Sequence, residues 1–356
     1  MRKKKNQETA KKKVSYKVTN WKDYNQALKQ RGSLTIWLSE DLEENWLTPS
    51  ATESKRGRPF IYSQTCINLI LTLRHLYKLA LRQIIGFVES LFVLLGKILP
   101  IPEFSRLSKR AAQALSSLAL PSLQEPAHLV IDSIGLKVFG EKEWLQTKHG
   151  KQYVRKVWRK LHIGVEAGGY IVARVLTDHH TDDRACVEAI LEQSNSSYIT
   201  EMLADGGYDS HKIYEELEKK KINPVIPPPN QAVINNAANP SKRDQAVKYI
   251  QGKSYWAWYS KNNVGRRNRV ENTFYRIKTI FGRKLHSRTI PNQDVESQFL
   301  CTMLNKMTEL GRLKSVKIAY KFFSRRNFSL NFYLGNTVVN ACVFHTFHRL
   351  FKNLTT

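Results

Sequence analysis

One acidic residue stands in the middle of an apolar run, and its position limits the folds open to this chain. Residues 128–135 read His-Leu-Val-Ile-Asp-Ser-Ile-Gly, a pattern typical of a buried β-strand with Asp132 at its centre. A carboxylate in a buried strand is costly unless it is paired or bound to a metal. The chain must therefore bring this strand to a rim of a sheet where the acid meets a partner.

A second acid directly follows another apolar run. Residues 199–204 have a strand pattern, and Asp205 directly follows it. The glycines at 206 and 207 leave room for backbone or a ligand to approach. If the two strands are neighbours, Asp132 and Asp205 converge on one rim of the sheet.

A third acid, Glu271, is the one acidic residue between positions 245 and 293. At helical spacing it shares a face with Arg267 and Lys278. Taken alone, this pattern describes equally well a solvated basic helix, whose ion pairs are worth about a few tenths of a kcal/mol each. Together, three convergent carboxylates favour hard divalent ions such as Mg²⁺ or Mn²⁺ and predict phosphoryl chemistry at two ions.

Changes in periodicity predict an α/β layout. Helical patterns cover residues 183–194 and 211–221. Antiparallel strands are expected on one side of the sheet. The strand patterns cover 128–135, 158–165, 170–177, 199–204 and 224–226, and Leu136 to Phe139 is expected to form a hairpin with the first of them.

Helical patterns precede this sheet. Ser63 is expected to cap a first helix, and further helices begin near Leu81 and Ser105. This segment fits either a helix-turn-helix reader of DNA or a plain helical bundle. We therefore divide the chain into a basic arm (1–22), a helical N-terminal DNA-binding region (23–125), a catalytic domain (126–311) and a basic C-terminal tail (312–356).

A formal net charge of +27 calls for a polyanionic partner, because self-repulsion destabilises a compact protein. The basic residues form blocks: nine Lys or Arg against one acid in residues 1–22, seven against one in 142–160, and ten against one in 251–290. Several separated basic surfaces suit a long duplex better than a small anion, so nucleic acid is the first candidate partner and a membrane surface the second. The uncharged stretch 327–348 contains asparagines that make insertion costly, so we expect no membrane partner.

The four cysteines, at positions 66, 186, 301 and 342, lie far apart and lack Cys-x-x-Cys spacing. This pattern argues against a zinc site or a disulfide framework and fits a reducing compartment. No apolar stretch follows the cationic start, so no signal peptide is expected. The sequence predicts a cytoplasmic protein associated with the nucleoid.

Two weaker patterns have competing interpretations. Trp256, Trp258 and Tyr259 alternate as in a strand, which would let one face stack on bases or pack in the core. His179 and His180 lie among acids and suggest a metal cluster, although acids are also favoured at a helix N-terminus.

The three acids, with Arg267 and Lys278, resemble the DDE transposases of bacterial insertion sequences, whose Y-R-E-K motif has the spacing Arg-x3-Glu-x6-Lys. From roughly residue 20 to 311, further motifs in order are similar to those of the insertion-sequence-five family. These motifs are Asn20-Trp21-Lys22-Asp23-Tyr24-Asn25, Arg31-Gly32-Ser33-Leu34, Gly57-Arg58-Pro59, Asp132-Ser133-x-Gly135-Leu136-Lys137, Trp158-Arg159-Lys160-Leu161-His162 and Ala204-Asp205-Gly206-Gly207-Tyr208-Asp209.

The resemblance implies an RNase H-like mixed sheet with flanking helices. It also implies a homo-oligomer that binds terminal inverted repeats, cleaves DNA with the help of metal ions and transfers the ends into target DNA. Asp132, Asp205 and Glu271 would be the catalytic residues and would hold two Mg²⁺ or Mn²⁺ ions. The residues expected to contact DNA are Arg267, Lys278, Arg266, Arg269, Tyr275, Arg159 and Lys160.

Two features depart from the family pattern. The motif's tyrosine would fall on Val264, so its role is absent or moved to Tyr259 or Trp258. Family members tend to stop soon after a segment like 304–311, whereas this chain continues for 45 residues without Asp or Glu. Two other hypotheses therefore stay open: a catalytically inactive DNA-binding remnant or regulator of the same element, and a nuclease of this fold that acts on RNA–DNA hybrids or junctions.

Overall fold

The computed structural model describes residues 15–38, 41–48, 61–113, 118–138, 158–236, 238–318, 330–334 and 337–341. The Gly57-Arg58-Pro59 motif, most of the basic block at 142–160 and Cys342 lie outside these ranges. The chain divides into two compact units, Met1–Lys22 with Leu313–Thr356, and Asp23–Arg312.

The smaller unit joins the two ends of the chain. Strand β1 (Ser15–Val18) pairs antiparallel with β8 (Ser315–Ile318). Strands β9 (Leu330–Leu334) and β10 (Thr337–Ala341) form a second antiparallel pair. Residues from the basic arm and from the tail therefore share one unit.

The larger unit is built on a mixed sheet of six strands: β2 (Ala127–Val138), β3 (Trp158–Val165), β4 (Ile171–Asp178), β5 (Ile199–Leu203), β6 (Asn223–Val225) and the short β7 (Lys284–Leu285) beside β2. The first five have the order β4-β3-β2-β5-β6. Strand β3 runs antiparallel to β2 and β4, whereas β5 and β6 continue the sheet in parallel. This mixed sheet with flanking helices confirms the predicted α/β fold class.

The predicted hairpin at Leu136 to Phe139 is wrong. Strand β2 continues without a turn to Val138, because β3 pairs with it as far as Lys137 and β7 pairs with its last two residues. One long strand thus replaces the predicted strand and hairpin partner.

Helices cover both faces of the sheet. Helices α9 (Asn268–Ile280) and α10 (Ile290–Glu309) pack on one face, where Val130 and Ile134 of β2 lie in the same hydrophobic cluster. Helices α5 (Val187–Gln193) and α6 (His211–Lys219) contribute to the cluster on the other face. Asp132 has the same parity as Val130 and Ile134, so the alternation of a strand puts it on the α9 face.

The N-terminal helices follow the predicted starts. The Ser63 Oγ caps the helix that begins at Gln64 by accepting the Cys66 N–H at 3.0 Å. Buried residues of these helices, including Ile67 and Leu107, belong to the cluster that also contains Val270 of α9. The helical region and the mixed sheet therefore share one core. The helices are α1 (Trp21–Gln30), α2 (Gln64–Tyr77), α3 (Leu81–Leu94) and α4 (Phe104–Ala111).

The strand predicted for Trp256, Trp258 and Tyr259 is wrong. These residues lie on helix α8 (Tyr255–Lys261), which follows α7 (Lys242–Gly252). The Ser254 Oγ accepts the Ala257 N–H and begins the helix, so Trp258 is buried while Trp256 is exposed. Alternating aromatic residues over so short a run did not distinguish the two periods.

Among the helices that the structure describes, none has both the length and the apolar character needed to cross a membrane. The described cysteines, Cys66, Cys186 and Cys301, are buried free thiols.

Candidate active site

Strand register brings Asp132 and Asp205 to the same level of the sheet. Strands β2 and β5 are parallel neighbours, with Val130 opposite Leu203. Asp132 lies two residues after Val130, and Asp205 lies two residues after Leu203. Both side chains therefore fall on the same face of the sheet. Residues that are far apart in the sequence thus meet at the C-terminal end of β5.

Helix α9 brings the third acid over this point. Its buried side chains, Val270 and Ile277 among them, pack it on the sheet and leave Glu271 in its first turn. Arg267, immediately before the helix, donates from Nη2 to the Glu271 Oε1 at 2.8 Å. Its Nη1 lies 4.0 Å from the Asp132 Oδ2 and 3.9 Å from the Asp205 Oδ2. Three carboxylates therefore converge on one guanidinium.

Burial dominates the electrostatics of Asp132. It raises the pKa of this carboxyl to about 6, and the nearby Asp205 and Glu271 add to the rise. The Ser133 N–H, which donates to the Asp132 Oδ1 at 2.8 Å, and the Arg267 charge act in the opposite direction. Ionisation of Asp132 therefore lowers the stability of the folded protein when no metal is bound.

This shift predicts that Asp132→Asn stabilises the metal-free protein at pH 8. The folded pKa lies above the ordinary 3.8, so the penalty is absent below about pH 4, grows between about pH 4 and 6, and is full above that range. A rise of the Asp132 pKa from 3.8 to about 6 corresponds to about 2–3 kcal/mol of unfolding free energy. Urea unfolding in EDTA at pH 8 and pH 4 measures it. Equal stability of the two proteins at pH 8 would contradict the prediction.

The loop after β5 fixes Asp205. Its Oδ1 accepts the Gly207 N–H at 2.9 Å. A Cβ at Gly206 would lie 3.1 Å from the Pro227 carbonyl oxygen, a close approach that favours glycine. Four residues after Asp205, Asp209 forms an ion pair with Arg243 of α7. The Arg243 Nη2 donates a hydrogen bond to the Asp209 Oδ2 at 2.9 Å. Sequence reasoning missed this pair, since no pattern marks Arg243.

A second cluster of polar side chains includes Ser133, the residue that follows Asp132 in the chain. The Ser133 Oγ donates to the Asp183 Oδ2 at 2.6 Å, and the Lys160 Nζ donates to the Asp183 Oδ1 at 2.8 Å. Lys160 also donates to the Thr181 carbonyl at 2.9 Å. Lys160, expected from the sequence to contact DNA, thus has intramolecular partners.

Three other cations expected to bind DNA also have partners within the protein. The Arg159 Nε donates to Gln293 at 2.9 Å, and the Arg266 Nη2 pairs with Glu201 at 2.6 Å. Arg269 donates to the Ala167 carbonyl. On α9, Tyr275 is 69% exposed and Lys278 is half-buried. Arg269, Tyr275 and Lys278 thus lie on α9, which carries Glu271, and Arg267 directly precedes it, whereas Arg159, Lys160 and Arg266 lie outside this helix.

Val264, at the position of the motif's tyrosine, is buried in the core. Trp258 is also buried, which excludes direct contact with DNA, whereas Tyr259 is half-buried. Of the two residues proposed to replace the tyrosine, only Tyr259 has a surface to offer.

The donor chemistry fits a divalent cation. Within the described residues, no group of three or more His, Cys, Asp or Glu side chains lies close enough to hold a metal as it stands. In the triad, the Arg267 guanidinium lies between the carboxylates. Yet all three acids supply hard oxygen ligands and already face a single positive charge, which suits Mg²⁺ or Mn²⁺.

Two family models, both described as a transposase DDE domain, match residues 29–141 and 123–306. The second spans more than half of the chain and includes Asp132, Asp205 and Glu271. The chain belongs to the DDE transposase family. A solved structure similar to this transposase is the cryo-EM synaptic complex of piggyBac transposase with hairpin DNA. The similarity covers 82% of this chain and 76% of that chain, at 10% identity and a TM-score of 0.38.

Proposed function

We propose that this transposase belongs to the insertion-sequence-five family and acts on the terminal inverted repeats of its own element. It cleaves DNA at those ends and transfers them into target DNA. The observation that carries the proposal is the convergence of Asp132, Asp205 and Glu271 on one cationic centre beside the sheet.

The three carboxylates would hold two Mg²⁺ or Mn²⁺ ions. When bound, such ions activate a water or a 3′-hydroxyl and offset charge on the phosphate undergoing attack. The protein's part is to fix the carboxylates: β2 and β5 set Asp132 and Asp205 in register, and packed α9 holds Glu271 above them. Lys278 and Tyr275, farther along α9, would contact the DNA backbone.

The charge of +27 supports DNA as the partner, bound along the catalytic face and the helical N-terminal region. Transposition requires both ends of an element to be held together, so we propose a homo-oligomer assembled on DNA. Association with the nucleoid follows from such binding.

The deciding experiment incubates the purified full chain with Mg²⁺ and duplexes carrying the inverted repeats that flank its reading frame. Cleavage at the repeat ends and joining to a second duplex are expected, and EDTA should abolish both. End binding without cleavage, identical in Asp132→Asn, would leave a DNA-binding remnant. Preferred cutting of RNA–DNA hybrids would indicate a nuclease.

DNA affinity is expected to fall steeply with salt. If about ten phosphates are contacted, a plot of log affinity against log salt concentration has a slope near −9, because each contact releases counterions. Fluorescence anisotropy with labelled duplex at a series of NaCl concentrations measures it. A nearly flat plot would remove DNA as the main partner.

A further inference from the structure

We propose that Arg267 exchanges partners during the working cycle. In the metal-free protein its guanidinium holds the three carboxylates together; a divalent cation displaces it, and the freed guanidinium then binds a DNA phosphate. This inference rests on the proposed function in that it takes the triad to be the metal site.

The contacts of Arg267 place it in competition with a metal. One nitrogen donates to Glu271 at 2.8 Å, and the other lies 4.0 Å and 3.9 Å from oxygens of Asp132 and Asp205. A divalent ion needs those same oxygens at roughly 2.0–2.2 Å. Two cations cannot share them closely, since their repulsion is strong at such separations.

The contacts also make Arg267 the arginine that can leave. Its one hydrogen bond to the triad is to Glu271, an i,i+4 partner whose side chain is half exposed. Its contacts with Asp132 and Asp205 are longer than hydrogen bonds. By contrast, Arg266 pairs with Glu201 and donates to the Asn262 carbonyl, and Arg269 donates to the Ala167 carbonyl.

A phosphate is the natural second partner. The guanidinium fork donates to two phosphate oxygens at once, and the Arg267 side chain is 29% exposed at the start of α9. Metal binding would therefore free the Arg267 guanidinium to bind a DNA phosphate beside the bond that is cleaved. Metal and DNA binding would strengthen each other through this side chain, by the reciprocity of linked equilibria.

The first test measures Mn²⁺ binding by calorimetry at pH 8 without DNA. Arg267→Ala and Arg267→Gln should each bind Mn²⁺ about fivefold more tightly than the wild type, because an ion pair of this kind no longer competes. Lys261→Ala is the matched control: it also removes one charge, but Lys261 lies over the Tyr249 ring at 4.6 Å. Its affinity should change less than about twofold.

Failure of this test and failure of the proposed function are distinguishable. If the wild type binds Mn²⁺ no better than Asp132→Asn, the triad is not a metal site and the proposed function fails. If the wild type binds Mn²⁺ but neither Arg267 variant binds more tightly than Lys261→Ala, the exchange is wrong and the function stands. Thermal melting of every variant confirms folding, and the Gln variant serves if the Ala variant is unfolded.

The second test asks where the guanidinium goes. Binding of a duplex of about 40 base pairs and arbitrary sequence is measured with EDTA and with Ca²⁺, an oxygen-seeking ion. With Ca²⁺, Arg267→Ala should lower the affinity several-fold and reduce the salt slope by about 0.9, the contribution of one phosphate contact. With EDTA the variant should match the wild type. An equal loss in both conditions would overturn the exchange.

Discussion

Replacing Asp132 by asparagine is expected to lower Mg²⁺-dependent cleavage of end DNA by at least about a thousandfold. Asparagine has nearly the same shape and keeps an oxygen to accept the Ser133 N–H, which donates to the Asp132 Oδ1 in the wild type. It removes the charge that would hold a metal, so several kcal/mol of transition-state stabilisation are lost. DNA binding should persist, since the basic surfaces are unchanged.

The measurement is a single-turnover cleavage assay, with anisotropy for DNA binding. Glu188→Gln is the control, because it removes one exposed carboxylate from α5, whose buried residues pack on the opposite face of the sheet. That variant should cleave at the wild-type rate. Residual cleavage by Asp132→Asn within tenfold of the wild type would exclude Asp132 as a metal ligand.

Breaking the pair between Arg243 and Asp209 is expected to have the largest effect on stability. The two side chains are only 11% and 5% exposed, and the guanidinium binds both carboxylate oxygens. Arg243→Met leaves Asp209 buried without its partner, which costs about 3 kcal/mol. Because Asp209 ends the turn that begins at Asp205, cleavage should also fall.

Urea unfolding at pH 7.5 measures this cost, and the double variant Asp209→Asn, Arg243→Met should recover part of it. Arg184→Met is the matched control, because Arg184 makes the same kind of ion pair with Asp182 at the surface, with side chains 47% and 52% exposed. No measurable change is expected there. Equal losses at the two positions would show that burial does not decide the strength of these pairs.

Local sequence patterns predicted each acidic residue of the site, but they did not predict that the three residues lie close together in the fold. Asp132 in its strand, Asp205 after its strand and the helical spacing of Glu271 with Arg267 are all visible over short windows. Their convergence depends on β2 and β5 being parallel neighbours, a long-range pairing that no single window contains. From the sequence alone, the three acids converge only on the condition that β2 and β5 are neighbours.

Partners of charged side chains were the least predictable feature. Arg159, Lys160, Arg266 and Arg269 were all expected to contact DNA, yet each makes an internal hydrogen bond or ion pair. A high local charge indicates a basic surface but does not say which cations the fold itself uses. Arg243 has its partner 34 residues away, where no local pattern predicts it.

The pairing of β1 with β8 means that two segments about 300 residues apart in the sequence form a single piece of the protein. The Thr19 N–H donates to the Lys314 carbonyl, and the Lys314 N–H to the Asn20 Oδ1, so the pairing is continued by a loop on each side. A frameshift or stop codon that removes residues 314–318 would therefore also alter the environment of residues 15–20, which such a change leaves untouched in sequence.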